Sequence, residues 1–193
     1  NVESGTKVIP MVEPELLRRA VTALDAMGFQ VHFHAIGTAA IRQSLDAIEE
    51  ALIENGQLGN RHHISHLQVI HPDDISRFGE LNAIANFQPL WAGYDDYITE
   101  LNIPAIGEKR TSWMYPIRSV HEAGGLIAFG SDWSVSTANP MDQIETAITR
   151  ISINDPSMRP FIPEERIDLA TAIDAFTINA AFVNKHEDKT GSI

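Results

Sequence analysis

The segment at residues 31–37, VHFHAIG, constrains the fold more than any other part of the sequence. Apolar residues alternate there with histidines, which is typical of a buried β-strand over residues 30–35, with His32 and His34 on one face. The strand runs into a glycine and then a long stretch with helical spacing, which makes a βα unit. A histidine therefore lies at the carboxyl end of a strand, where α/β proteins place their functional groups. A pair of hydrogen-bonded core histidines would produce the same pattern.

Composition and charge favour one globular domain and exclude several partners. The chain has 193 residues, 44% of them hydrophobic, so a single domain spanning residues 1–193 is expected. Its formal net charge of -12 disfavours a nucleic acid or an anionic membrane surface as partner. No apolar run approaches the roughly 18 residues of a membrane span and no signal-peptide pattern is visible, so a soluble cytoplasmic protein is expected. Because cysteine is absent, any metal ion must be held by histidine and carboxylate.

Four β-type segments alternate with helical segments along the chain. No two consecutive strands are close enough to form a hairpin, so we expect parallel pairing in chain order, with helices outside. The class is therefore α/β, and because a complete (β/α)8 barrel takes roughly 250 residues, the chain has material for about half of one. The irregular segment 90–107 is a candidate lid or substrate wall. The predicted strands lie near residues 30–35, 62–67, 83–87 and 126–130, and the predicted helices near 14–27, 38–55, 72–81, 108–123, 140–151, 164–176 and 179–183.

Three of these strands end in a residue that can bind a metal ion. His34 ends the first strand, His66 ends the second, and Asp132 follows the fourth. Because the carboxyl ends of parallel strands lie on one side of a sheet, these side chains are expected to converge. Imidazole and carboxylate suit a divalent ion such as zinc, which lowers the pKa of a bound water molecule towards about 7. The pattern predicts a hydrolytic site, although strand-end histidines also occur as core residues.

A series of motifs follows in order along nearly the whole chain: VHFHAIG with the helix behind it, RHHISHLQ, NFQP, GSDWSVSTANP with the following AITR, FTINAA and TGSI. In this order they resemble amidohydrolase family 3, the YtcJ-like group of metal-dependent hydrolases that includes N-substituted formamide deformylase. The resemblance corresponds to the later part of that family's TIM barrel, strands five to eight. It implies that His34 and His66 are metal ligands, and that Asp132 holds the metal-bound water and accepts its proton.

The chain also departs from the family pattern. The family usually reads HAIGD, IEH and SDWP where this chain has Thr38, Ser65 and Ser134, so the hydrogen bonds around the ligands could differ. The family's strand-one HxH pair and its strand-four metal-bridging residue have no counterpart. The helix that follows assigns the HxH of this chain to strand five, with His34 as the ligand and His32 behind it or in the core. We therefore expect a fragment that carries an incomplete site.

The resemblance implies hydrolysis of a C–N bond in an N-acyl or N-formyl amine, with one or two divalent ions, zinc being the expected ion. Gln88, at a strand end, and Trp133, directly after the predicted base, are candidate substrate-binding residues. Open strand edges predict pairing with a second copy or with the missing N-terminal half. Two alternatives stay open: a catalytically incomplete half-barrel that acts as a metal-binding or assembly module, and a carbohydrate- or cofactor-binding domain with core histidines.

Overall fold

A computed structural model describes residues 10–192 and contains one four-stranded parallel sheet. The strands are β1 (His32–Ala35), β2 (His63–His66), β3 (Ile84–Phe87) and β4 (Ile127–Phe129). They are hydrogen-bonded in the order β1-β2-β3-β4, and every pair is parallel. Each strand lies inside its predicted range, and the predicted α/β class with parallel pairing in chain order is confirmed. The carboxyl ends of all four strands therefore lie along one edge.

The helices lie between the strands and after β4. The longest, α2, packs against α1 and presents Ile41, Leu45 and Ile48 to the core, where all three are buried. Within residues 10–192, no helix combines the length and the apolar character that crossing a bilayer requires. The α-helices are α1 (Pro14–Ala26), α2 (Thr38–Asn55), α3 (Arg77–Glu80), α4 (Ile103–Ile106), α5 (Glu108–Thr111), α6 (Ile117–Glu122), α7 (Pro140–Thr149), α8 (Leu169–Phe176) and α9 (Ile178–Val183), with 3-10 turns at Pro72–Asp74, Pro89–Trp91 and Pro163–Glu165 and a π-helical segment at Tyr97–Asn102.

Two predicted helices are interrupted. The helix predicted over residues 108–123 breaks between α5 and α6, because Pro116 lies there and its ring can neither donate a backbone hydrogen bond nor continue a helix. The helix predicted from residue 164 begins later, as α8. Asp168 caps α8 by accepting a hydrogen bond from the Thr171 N–H at 2.8 Å. The predicted irregular segment 90–107 contains short helical turns instead of extended loop.

The two faces of the sheet differ in polarity. Phe33 is in register with Ile64, and Ile64 with Ala85, and all three belong to the main apolar core. Burial of a large apolar side chain in such a core contributes about 1.5–3 kcal/mol. The opposite face carries His32 and His34, which are in register with His63 and Ser65 respectively. The helices that contribute to this core, α2 among them, thus cover the apolar face, and the histidines of β1 point away from it.

Helix α9 closes the amino-terminal end of the sheet. Val183 packs with Ile84 and Ala128 in a small apolar cluster that is separate from the main core. The side-chain nitrogen of Gln30 donates to the carbonyl groups of Arg61 at 2.7 Å and Val183 at 2.9 Å. These bonds connect the residues before β1 and β2 to the end of α9. The polar edge available for chemistry is therefore the carboxyl end.

Candidate metal centre

The imidazole rings of His34 and His66 meet at the carboxyl ends of β1 and β2. Their centroids are 4.3 Å apart and their planes make an angle of 62°. The register alone would separate them, because His34 is opposite Ser65 and His66 is opposite Ala35. His66 has a φ of 77° and the next residue, Leu67, a φ of 54°. This left-handed backbone ends the alternation of β2 and turns His66 towards His34, at a cost of roughly 1–2 kcal/mol per residue.

Asp132 lies beyond the end of β4 in an exposed loop, and its φ of 53° is also left-handed. Burial lowers the pKa of His66, the charges of His34 and His32 lower it further, and the Asp132 carboxylate opposes them. His66 is consequently neutral near pH 7, the state in which an imidazole binds a metal ion. Within residues 10–192, no three histidine or carboxylate side chains surround a common point. The structure thus brings His34 and His66 together and leaves Asp132 nearby, outside a closed cluster.

Below this pair lies a second layer of imidazoles. The Nε2 atom of His32 is 2.7 Å from the Ser65 hydroxyl, and the His32 ring stacks on His63 with centroids 4.4 Å apart. Burial, and then the charge on His32, lowers the pKa of His63 to about 4. Ser65 occupies the position at which the family resemblance expects glutamate. A neutral hydroxyl therefore orients His32 in this chain.

His62 belongs to a different, structural network. Its Nε2 is 2.9 Å from Asp25 Oδ1, and its Nδ1 accepts a hydrogen bond from the Val31 N–H at 3.0 Å. Since Nδ1 accepts, the proton is on Nε2, which donates to Asp25. Burial favours a raised pKa for Asp25, but hydrogen bonds from Asn55, Asn60 and His62 together outweigh it and lower the pKa. This network joins α1 to β1.

The two predicted substrate-binding residues differ in their surroundings. Gln88 directly follows β3 and is 4% exposed, whereas Trp133 is 72% exposed and extends into solvent. Another tryptophan lies closer to the candidate ligands: the Trp91 ring is nearly parallel to that of His66, with centroids 5.9 Å apart. The sequence predicted segment 90–107, which contains Trp91, as a candidate lid or substrate wall, but gave Trp91 no individual role. Its position three residues after a strand-end glutamine was the available signal.

A cavity of about 390 Å³ lies at the amino-terminal end of the strands. Arg61, Asn82 and Phe182 contribute to its lining, and none of its lining residues belongs to the strand-end group at the carboxyl edge. Arg61 is already engaged there by the carboxylate of Glu187 at 2.6 Å. The chemistry of the donor groups therefore locates the candidate site at the carboxyl edge, although the cavity is at the other end.

The sequence was compared with models of known protein families, and one family matches. The sequence model of the amidohydrolase family matches residues 4–193, and the chain belongs to that family. The resemblance to amidohydrolase family 3 is thereby confirmed, and the YtcJ relative described next confirms the YtcJ-like group.

Individual relatives are much longer than this chain. It is 35% identical over 184 residues to Protein LONG AFTER FAR-RED 3 of Arabidopsis thaliana, covering 92% of the chain and 30% of that protein. It is 26% identical over 192 residues to the putative amidohydrolase YtcJ of Bacillus subtilis (strain 168), covering 99% of the chain and 35% of that protein. The chain thus spans about a third of the length of these relatives.

A solved structure shows the same fold. The crystal structure of an uncharacterized metal-dependent hydrolase from Pyrococcus furiosus superposes with a TM-score of 0.77 at 24% identity, over 97% of this chain and 36% of that one. A parallel sheet with outer helices that matches part of such a hydrolase is a partial (β/α)8 barrel. The predicted fold class is confirmed.

Proposed function

We propose that this chain carries part of the active site of a metal-dependent hydrolase that cleaves a C–N bond in an N-acyl or N-formyl amine. The observation that carries the proposal is the contact of the His34 and His66 rings at the carboxyl edge of a partial barrel. The chain's membership of the amidohydrolase family supports it. The substrate class comes from the family resemblance.

The donor set fits a divalent ion such as zinc. His34 and His66 would bind it through neutral imidazole nitrogens, and Asp132 is the nearby carboxylate. When bound, a divalent ion supplies Lewis acidity, which polarises a carbonyl group and acidifies a water molecule. Because two imidazoles and one carboxylate leave coordination positions open, water, the substrate or donor residues from outside this chain would complete the coordination.

The other residues act around this centre. Asp132 takes the proton of the attacking water and returns it to the leaving nitrogen, as a general base and then a general acid. The Ser65 hydroxyl orients His32, which lies in the layer beneath the ligands. Trp91 covers one side of His66 and limits the access of water to that ring. Trp133, exposed in the loop after Asp132, contacts the part of the substrate that lies away from the reacting bond.

A second candidate function is a half-barrel that binds metal, or assembles with another polypeptide, without turnover of its own. One observation favours it: residues 10–192 contain no closed cluster of three ligands. Within the described part of the chain, β1 and β4 are edge strands with unpaired backbone groups. Under either proposal, a further barrel half or a second copy of the chain covers these edges.

Metal content and turnover, measured together, distinguish the two proposals. The complete polypeptide, with any residues that flank these 193, is stripped with a chelator and reloaded with zinc. Hydrolysis of N-formyl and N-acetyl anilides is then measured alongside bound zinc. Stoichiometric zinc with turnover supports the hydrolase, and zinc without turnover supports the module. Failure to bind zinc, cobalt or manganese contradicts the hydrolase and the metal-binding module, and leaves only assembly with another polypeptide.

A further inference from the structure

The side-chain oxygen of Gln88 is buried and has no hydrogen-bond donor in the described part of the chain. Gln88 directly follows β3, and its Oε1 accepts no hydrogen bond from residues 10–192. Buried polar atoms are nearly always paired, because leaving a buried acceptor without a donor forfeits the hydrogen bonds that it made with water. An unpaired acceptor at a strand end therefore requires an explanation.

The contacts of Gln88 establish which end of its amide is the oxygen. The amide atom opposite the unpaired one lies 3.2 Å from Asn86 Oδ1 and 3.5 Å from the backbone carbonyl oxygen of Asn86. A nitrogen there donates to both acceptors, whereas an oxygen would face a backbone carbonyl that has no proton to give. Oε1 is consequently the unpaired atom. The group that it lacks is an N–H or O–H donor.

Gln88 lies within the row of strand ends that carries the candidate metal centre. Strand β3 is between β2, which ends at His66, and β4, which leads into Asp132. Its neighbour on the side of β4 is Gly130. A Cβ atom on residue 130 would lie 3.6 Å from Asn86 Oδ1 and 3.9 Å from Gln88 Nε2. Because glycine has no Cβ, no side chain of residue 130 covers the two amides on that side.

We propose that Gln88, oriented by Asn86, accepts a hydrogen bond from the N–H group of a secondary amide substrate. This inference rests on the proposed hydrolase function and narrows its substrate class to amides whose nitrogen carries hydrogen. The substrate N–H supplies the donor that Oε1 lacks. A tertiary amide brings a carbon atom to the same position and leaves the acceptor unpaired. A site built around a polar atom discriminates strongly against such analogues.

The test compares a secondary amide with its N-methylated analogue. The probes are 4-nitroformanilide and N-methyl-4-nitroformanilide, assayed on the complete zinc-loaded polypeptide as wild type and as Gln88→Met, which keeps the side-chain length without the amide. We expect the preference for the secondary amide, expressed as a ratio of kcat/KM values, to fall roughly tenfold in Gln88→Met. Gln88→Leu repeats the test with a second apolar side chain, and thermal unfolding verifies that both variants fold.

Gln30 provides the control. It is a half-buried glutamine at the opposite, amino-terminal end of the sheet, where its side-chain nitrogen donates to the carbonyl groups of Arg61 and Val183. Gln30→Met therefore makes the same chemical change away from the carboxyl edge. The ratio between the two probes should stay at its wild-type value in this variant. An equal fall in both variants would show a general effect of replacing a glutamine and would overturn the inference.

Separate binding measurements distinguish failure of this inference from failure of the hydrolase proposal. Dissociation constants of both probes are measured by calorimetry on the metal-free polypeptide. Tighter binding of the secondary amide that is lost in Gln88→Met supports the inference even without turnover, in which case the hydrolase proposal fails. Turnover of both probes with an unchanged ratio in Gln88→Met supports the hydrolase and overturns the inference. Absence of binding by either probe overturns the inference as well.

Discussion

His66 contacts His34 although the register of the sheet places the two residues on opposite faces. The ring centroids are 4.3 Å apart because His66 has a left-handed φ of 77° at the end of β2. A backbone of this kind in a residue other than glycine persists where the surrounding structure enforces it, and it is often found at functional sites. We therefore propose that this backbone positions His66 for ligand binding.

Deleting the His66 imidazole should abolish metal binding and turnover together. His66→Ala removes one of the two adjacent imidazole donors, and the remaining protein ligands cannot complete a stable site. Zinc titration followed by turnover at saturating zinc measures both effects. His121→Ala, at an exposed position on α6, is the control and should retain wild-type zinc affinity. Full zinc affinity in His66→Ala would show that His66 is not a metal ligand.

Replacing Asp132 by asparagine should separate proton transfer from metal binding. Asparagine keeps the shape and one oxygen donor but cannot take a proton near neutral pH. If Asp132 is the base, turnover should fall by roughly 10² to 10⁴ while the histidines retain most of the metal. Turnover is measured at saturating zinc, with Asp188→Asn as an exposed control. Near-normal turnover in Asp132→Asn would contradict the proposed mechanism.

Removing His62 should destabilise the fold. His62→Ala deletes the bonds to Asp25 and to the Val31 N–H, and leaves the buried Asp25 carboxylate and the half-buried Val31 N–H without that partner. We expect the free energy of unfolding, measured in urea, to fall by about 1–3 kcal/mol. His71 serves as the control because it accepts one bond, from the Asp73 N–H at 3.3 Å, near the surface. An equal loss in His71→Ala would contradict the structural role assigned to His62.

Titration of His63 should make stability depend on pH between about 4 and 6.5. The folded-state pKa of His63 is lowered to about 4 by burial, whereas an unfolded histidine has a pKa near 6.5. The unfolded chain then binds the proton first, so this contribution to stability is fully present above about pH 6.5 and is lost as the pH falls towards 4. Urea unfolding of the metal-free protein across this range measures it.

The matched variant for that titration is His63→Phe, which keeps an aromatic ring against His32 and cannot take a proton. Between pH 6.5 and 4 its free energy of unfolding should change less than that of the wild type. The two changes should differ by at most the contribution of one proton. A parallel pH dependence in wild type and variant would show that other groups are responsible.

Local pattern was sufficient to predict the architecture. Alternation in residues 30–35, with a glycine and a helix behind it, identifies β1 and α2, since strand and helix periods differ clearly over such lengths. Strand spacing then required parallel pairing. The helix boundaries around Pro116 were less predictable, because a proline can either begin or interrupt a helix depending on what packs around it.

The sequence by itself determined the class, the strand order, and the residue types available at the carboxyl edge, because periodicity and connection lengths are local properties. Only the tertiary structure decided how those residues meet. The turn of His66 towards His34, the stacking of Trp91 on His66, and the unpaired oxygen of Gln88 each depend on residues brought together from different strands. Such contacts arise from side-chain packing across the folded sheet, and the periodicity of the sequence carries no information about them.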